Sequence, residues 1–132
     1  MGIYYVGKKI DFPQALLEKL KDYFKLQPEL DGDFDCSSFV HYLNDIPYQF
    51  PVFKKKDWIF NQLITDELSP GDAIAISSSF EENSLVHLAV YVDSGIYLSK
   101  FGSTGDLIFA TLEEMKKGFG GQAVFKITPS HK

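Results

Sequence analysis

The stretch His87-Leu88-Ala89-Val90-Tyr91-Val92, then Asp93-Ser94-Gly95, then Ile96-Tyr97-Leu98-Ser99-Lys100-Phe101 constrains this chain more than any other. Two apolar runs separated by so few residues, with Ser-Gly between them, can only be antiparallel neighbours, because a parallel connection needs a dozen residues or more. The pattern predicts strands over 86–92 and 96–101. Further short strands are predicted over 73–77, after a Pro70-Gly71 turn, and over 107–110 and 123–127. Thr111 with Glu114 three positions on is a capping box, so a short helix follows the fourth of these strands. Upstream the periodicity changes. Pro13, Leu16, Leu17, Leu20, Tyr23 and Phe24 predict a helix over 13–26. Asp35 with Cys36, Phe39, Val40 and Leu43 predicts a second over 36–44, and Trp58, Ile59, Leu63 and Ile64 a short third. Helices first and antiparallel strands after make an α+β class, with the N-terminal helices packed on the sheet.

The 132 residues are 45% hydrophobic and show no repeat or linker tract, which predicts a single domain over 1–132. A net charge of −5 argues against a nucleic-acid partner, which would require a basic face. No apolar run approaches the roughly 20 residues of a membrane span. The N-terminal segment lacks a basic stretch followed by an apolar one. The expected location is therefore cytoplasmic, or the chain is delivered by a route that needs no cleaved signal. The acidic stretch Glu29, Asp31, Asp33, Asp35 is not a calcium loop, because Cys36 stands at its glycine position and Tyr42 at its final glutamate position. One cysteine and three scattered histidines give no zinc pattern, and no cofactor is expected.

The chemistry concentrates on Cys36, the only cysteine. A thiol attacks a carbonyl as its thiolate, and a free cysteine titrates near pH 8.5, so its pKa must be lowered. The start of the 36–44 helix supplies unpaired N–H groups and a favourable dipole, which also suit a tetrahedral oxyanion. The nucleophile then needs a base. His41, five residues on in the same helix, points away from Cys36, and His131 belongs to the C-terminal tail. His87 remains, at the start of a strand whose one face carries His87, Ala89 and Tyr91.

A third group commonly orients such a base. A three-residue hairpin loop over 93–95 sets Ala89 opposite Ser99 and brings Ser99 diagonally beside His87. A two-residue turn sets Ala89 opposite Lys100 instead, and the slip exchanges every face. Ser99 is the preferred partner, since a cation beside His87 opposes the imidazolium. A backbone carbonyl or a water can share the role.

Three segments resemble the NlpC/P60 superfamily of papain-like cysteine peptidases and amidases. Asp35-Cys36-Ser37-Ser38-Phe39-Val40 is similar to that family's nucleophile helix. Leu68-Ser69-Pro70-Gly71-Asp72 is similar to its Pro-Gly-Asp turn, and His87-Leu88-Ala89-Val90-Tyr91-Val92 to its histidine strand. The matched stretch spans 34–101. The resemblance implies a papain-like α+β fold, with Cys36 as nucleophile, His87 as base and Ser99 at the third polar position. It further implies a peptide or amide substrate of the kind found in bacterial cell walls.

The expectation is a cysteine hydrolase that cleaves an amide bond through an acyl-enzyme. Two rivals stand beside it: a catalytically idle binding module on the same fold, and an acyltransferase using the same Cys-His pair. Lys54-Lys55-Lys56, between Phe53 and Trp58, reads as a solvated loop rather than a lip for an acidic peptide.

Overall fold

The computed structural model describes residues 2–5, 8–11, 13–30, 39–40, 43–44, 55–79, 84–100 and 107–130. Its body is a six-stranded antiparallel sheet. Five strands follow β1 (Gly2–Tyr5) and β2 (Lys8–Asp11), which among the described residues pair only with each other, and β3 (Trp58–Gln62). They are β4 (Ala73–Ser77), β5 (Leu85–Asp93), β6 (Ile96–Lys100), β7 (Leu107–Thr111) and β8 (Ala123–Pro129). Across the large sheet the order is β3-β8-β4-β5-β6-β7. β4 to β7 form a meander, in which each strand pairs with the one before it. The chain then crosses back over one face through the helix α2 (Leu112–Phe119), so that β8 enters between β4 and β3. The helix α1 (Gln14–Leu30) lies on the opposite face.

This architecture is mainly β, which corrects the expected α+β class with N-terminal helices packed on the sheet in papain-like fashion. The clearest reason is the segment 58–64, expected to be helical. It forms β3, flanked by single 3-10 turns at Lys55–Asp57 and Thr65–Glu67. A helix of seven residues would barely repay its own nucleation, whereas an extended Trp58-Ile59-Phe60 gains a full ladder with β8. Trp58 is buried, Ile59 faces outward and Phe60 packs edge-on against Phe125, an alternation of period two. The β1–β2 ribbon was likewise not anticipated. Of the expected 36–44 helix, Phe39, Val40 and Leu43 are helical and buried.

Alternation divides the core into two. On the α1 face, Leu16 and Leu20 of the helix meet Ala73, Ala75, Leu88, Val90 and Leu98, with Phe39 and Val40 among them. Lys19 Nζ donates to the Leu43 carbonyl at 2.8 Å and ties α1 to Leu43. On the α2 face, Met115 packs with Ile74, Ile76, Ala89, Tyr97 and Ala110. β4 contributes to both layers and is buried along its whole length.

The Pro70-Gly71 turn forms as expected and explains the Ser-Pro-Gly-Asp sequence. Asp72 N donates to Ser69 O at 3.0 Å, and Gly71 takes a φ of 97° that suits the third position of a type II turn. The Asp72 carboxylate accepts from Ser69 N at 2.8 Å and pairs with Lys126 Nζ at 3.4 Å. Mutual backbone bonds between this turn and Tyr91 start the β4–β5 ladder.

α2 has both ends defined. Thr111 accepts from Glu114 N, and the Glu114 side chain accepts from Thr111 N, which is the expected capping box. At the other end Gly120 turns left-handed (φ 70°), and Gly121 presses against Ile76. A methyl at Gly121 would overlap Ile76 Cγ2, a fully buried and β-branched atom with little freedom to yield. Gly118, inside the helix, has open space around it. Gly121→Ala is therefore expected to destabilise the protein by about 1–3 kcal/mol. Gly118→Ala should be neutral or stabilising by up to about 1 kcal/mol. Thermal or urea unfolding of the two variants checks the contrast.

Candidate functional site

Cys36 lies outside the described residues. The nearest described residues of its segment, Phe39 and Val40, pack on the α1 face of the sheet.

His87 and Ser99 are brought together. The hairpin that joins their strands closes with a two-residue turn, Ser94 (φ 53°) and Gly95 (φ 78°), with Asp93 opposite Ile96. Left alone, that turn would set Lys100 beside the histidine. A bulge between Tyr91 and Asp93 absorbs one residue, so that Tyr91 faces Tyr97 and Val90 faces Leu98. Beyond the bulge the register is the one anticipated for a three-residue loop. Ser99 Oγ lies 2.9 Å from His87 Nε2. Lys100, the next residue along β6, alternates to the other face with Leu98 and is itself buried.

A second bulge sits on the other side of the histidine. In the β4–β5 ladder Ile76 faces His87 but Ser77 faces Leu85, which leaves Val86 as the extra residue. His87 thus ends the regular part of β5, with its ring on the α2 face. There Phe119, the last residue of α2, lies flat against the imidazole: the centroids are 3.9 Å apart and the planes differ by 10°. Met115, one turn earlier, places its sulfur 4.0 Å from Ser99 Oγ, within reach of the hydroxyl proton. His87 is 2% exposed and Ser99 0%. Tyr91 and Tyr97 form an edge-on pair at 5.3 Å on the same face of the sheet. Burial and the neighbouring Tyr91 push the Tyr97 phenol up to about 12.

Burial lowers the His87 pKa from 6.5 to about 4, so the ring is neutral at physiological pH. Its proton can take either nitrogen. When the Ser99 hydroxyl donates its hydrogen bond to Met115 Sδ, the serine oxygen accepts from Nε2–H. Among the described residues no three His, Cys, Asp or Glu side chains converge in a way that would hold a metal ion. No described helix is long and apolar enough to cross a membrane.

Phe119 and Met115 were not anticipated as neighbours of the histidine. The capping box and the spacing of Leu112, Met115 and Phe119 predict an amphipathic helix, but nothing in that spacing states which strand it will cover. No protein-family model, no curated protein and no solved structure matches this chain.

A neutral, buried His87 makes stability depend on pH. The unfolded chain takes up a proton near pH 6.5 and the folded chain only near pH 4, so between these values the unfolded state binds more protons. The stability that His87 contributes is complete above pH 6.5 and is lost as pH falls towards 4, up to about 3 kcal/mol. Urea unfolding as a function of pH should show a steeper loss over this window in the wild type than in His87→Gln.

Proposed function

We propose that this chain is a cysteine hydrolase of amide bonds, with Cys36 as nucleophile, His87 as base and Ser99 as the group that orients the base. The observation that carries the reading is the buried 2.9 Å contact between His87 Nε2 and Ser99 Oγ. A base held in one orientation by a second polar group is what nucleophilic catalysis needs. The likeness of the Cys36 and His87 segments to those of NlpC/P60 peptidases supports the same assignment, apart from the fold.

In this mechanism His87 takes the thiol proton of Cys36, and the thiolate attacks the amide carbonyl carbon. The tetrahedral intermediate collapses with cleavage of the C–N bond, and the imidazolium returns its proton to the leaving amine. Water then adds to the thioester, with His87 again as base, and the acid is released with the thiol restored. Substitution of an amine for that water makes the same residues an acyltransferase. The substrate class is a peptide or related amide, with cell-wall peptides as the first candidates.

Two observations favour a second reading. Phe39 and Val40, the described residues nearest Cys36, pack on the α1 face, whereas the His87 ring lies on the α2 face. A histidine stacked under Phe119, with a pKa near 4, is a weak base and a good core residue. A binding module in which His87 serves packing alone would look the same at this position.

The pH dependence of Cys36 alkylation separates the two. For the hydrolase, the wild-type thiol reacts rapidly well below pH 8 and slows by about tenfold or more in His87→Gln. An ordinary thiol, indifferent to His87, would overturn the hydrolase reading and leave the binding module. Cooperative unfolding of both proteins must be verified first.

A further inference from the structure

Ser99 has one hydroxyl proton and two buried neighbours that compete for it. His87 Nε2 lies 2.9 Å from the serine oxygen and Met115 Sδ lies 4.0 Å from it. Three separate elements supply the group: β5 the histidine, β6 the serine and α2 the methionine. The sulfur is held in place from two directions. The capping box at Thr111 fixes the start of α2 one turn before Met115, and Met115 packs among Ile74, Ile76, Ala89, Tyr97 and Ala110.

Burial keeps the imidazole neutral, so only one ring nitrogen carries a proton. Two arrangements follow around the serine. If Ser99 donates to Nε2, one hydrogen bond forms there, the ring proton is on Nδ1, and the sulfur meets the serine oxygen with no proton between them. If Ser99 donates to Met115 Sδ, its oxygen accepts from Nε2–H. Two hydrogen bonds then run in one chain, and each polarises the other in a site withdrawn from water. A leucine would fill the same space as the methionine, but it could not accept a hydrogen bond.

We propose that Met115 is a positioning residue that sets the tautomer of His87: its sulfur draws the Ser99 proton, the serine oxygen is left to accept, and the imidazole holds its own proton on Nε2. A neutral ring in that form carries its lone pair on Nδ1, so the sulfur decides which nitrogen is basic. The bearing on catalysis rests on the reading of His87 as the base. The placement of the proton does not depend on Cys36.

The test is long-range proton–nitrogen correlation NMR of the histidine rings in nitrogen-15-labelled protein, at about pH 7, well above the His87 pKa. The His87 peaks are those that vanish in His87→Gln. Nε2 couples to both carbon-bound ring protons and Nδ1 mainly to Hε1, which tells the nitrogens apart, and the protonated nitrogen resonates far upfield of the bare one. The wild type should show a protonated Nε2. Met115→Leu keeps the volume of the core and should raise the Nδ1–H form relative to Nε2–H by about fivefold or more, as expected when one net hydrogen bond is lost. Norleucine incorporated in place of methionine exchanges the sulfur for a methylene at Met1 and Met115, the two methionines of the sequence. It should give the same shift, and it carries the test if Met115→Leu does not melt cooperatively. A wild-type ring protonated on Nδ1, or a ratio unchanged in the folded sulfur-free proteins, would overturn the assignment, since a packing role for Met115 leaves the tautomer unmoved. A tautomer that responds to the sulfur while Cys36 alkylation ignores His87 retains the role of Met115 and removes the hydrolase. The reverse result removes the role of Met115 alone.

Discussion

The register of the β5–β6 ladder governs everything that the α2 face presents. A two-residue turn of left-handed Ser94 and Gly95 matches the twist of the strands it joins, and by itself it would bring Lys100 level with Ala89. The bulge between Tyr91 and Asp93 cancels that offset by one residue. One residue is enough to exchange a serine for an ammonium group beside His87, because side chains alternate with a period of two. The same shift sends Leu98 to the α1 face, where it joins Leu88 and Val90. Hydrophobic burial on one face and polar pairing on the other thus select the same register, and neither has to be sacrificed to the other.

The pair that results is costly to bury and therefore well determined. His87 and Ser99 are almost wholly withdrawn from water, and each polar group lost to solvent must find a partner inside. Nε2 and Oγ satisfy one another, and Met115 offers the hydroxyl a weak, polarisable acceptor instead of a void. Burial also removes the charge from the imidazole, because protonation would place a cation where water cannot solvate it. Neutrality suits a base waiting for a proton as well as it suits a core residue, so the ring's accessibility determines which role it plays.

The sheet also explains why α2 lies where it does. β7 is at one edge and β8 must insert between β4 and β3, so the connection has to cross the sheet above β6 and β5. The crossing segment needs an apolar stripe for that face, and Leu112 and Met115 supply it. The helix is short because the distance is short. It ends at Phe119 because Gly120 and Gly121 must turn the chain down onto Ile76 before Gln122 N meets Ser77 O. Phe119 comes to rest on His87 as a consequence of this route.

Several features of the protein are local and were legible in its sequence. The Pro70-Gly71 turn, the strands from 73 onward, the hairpin at Asp93-Ser94-Gly95 and the Thr111–Glu114 capping box each depend on residues a few positions apart, whose preferences act without help from the rest of the chain. Ser99 rather than Lys100 was also expected beside His87, but through repulsion from an imidazolium, whereas the buried ring is neutral and the bulge that sets the register was not foreseen. Other features depended on distant partners. Trp58 to Gln62 is extended because β8, more than sixty residues away, offers a ladder that a lone short helix cannot match. That one exchange of helix for strand makes the sheet six-stranded and the fold mainly β. The stacking of Phe119 on His87 is equally non-local, since it follows from the crossing of α2. Periodicity and turn chemistry act within a few residues and so determined the strands and their caps. The edge of the sheet and the cover over the histidine were decided by tertiary structure, because only packing between remote segments distinguishes the competing arrangements.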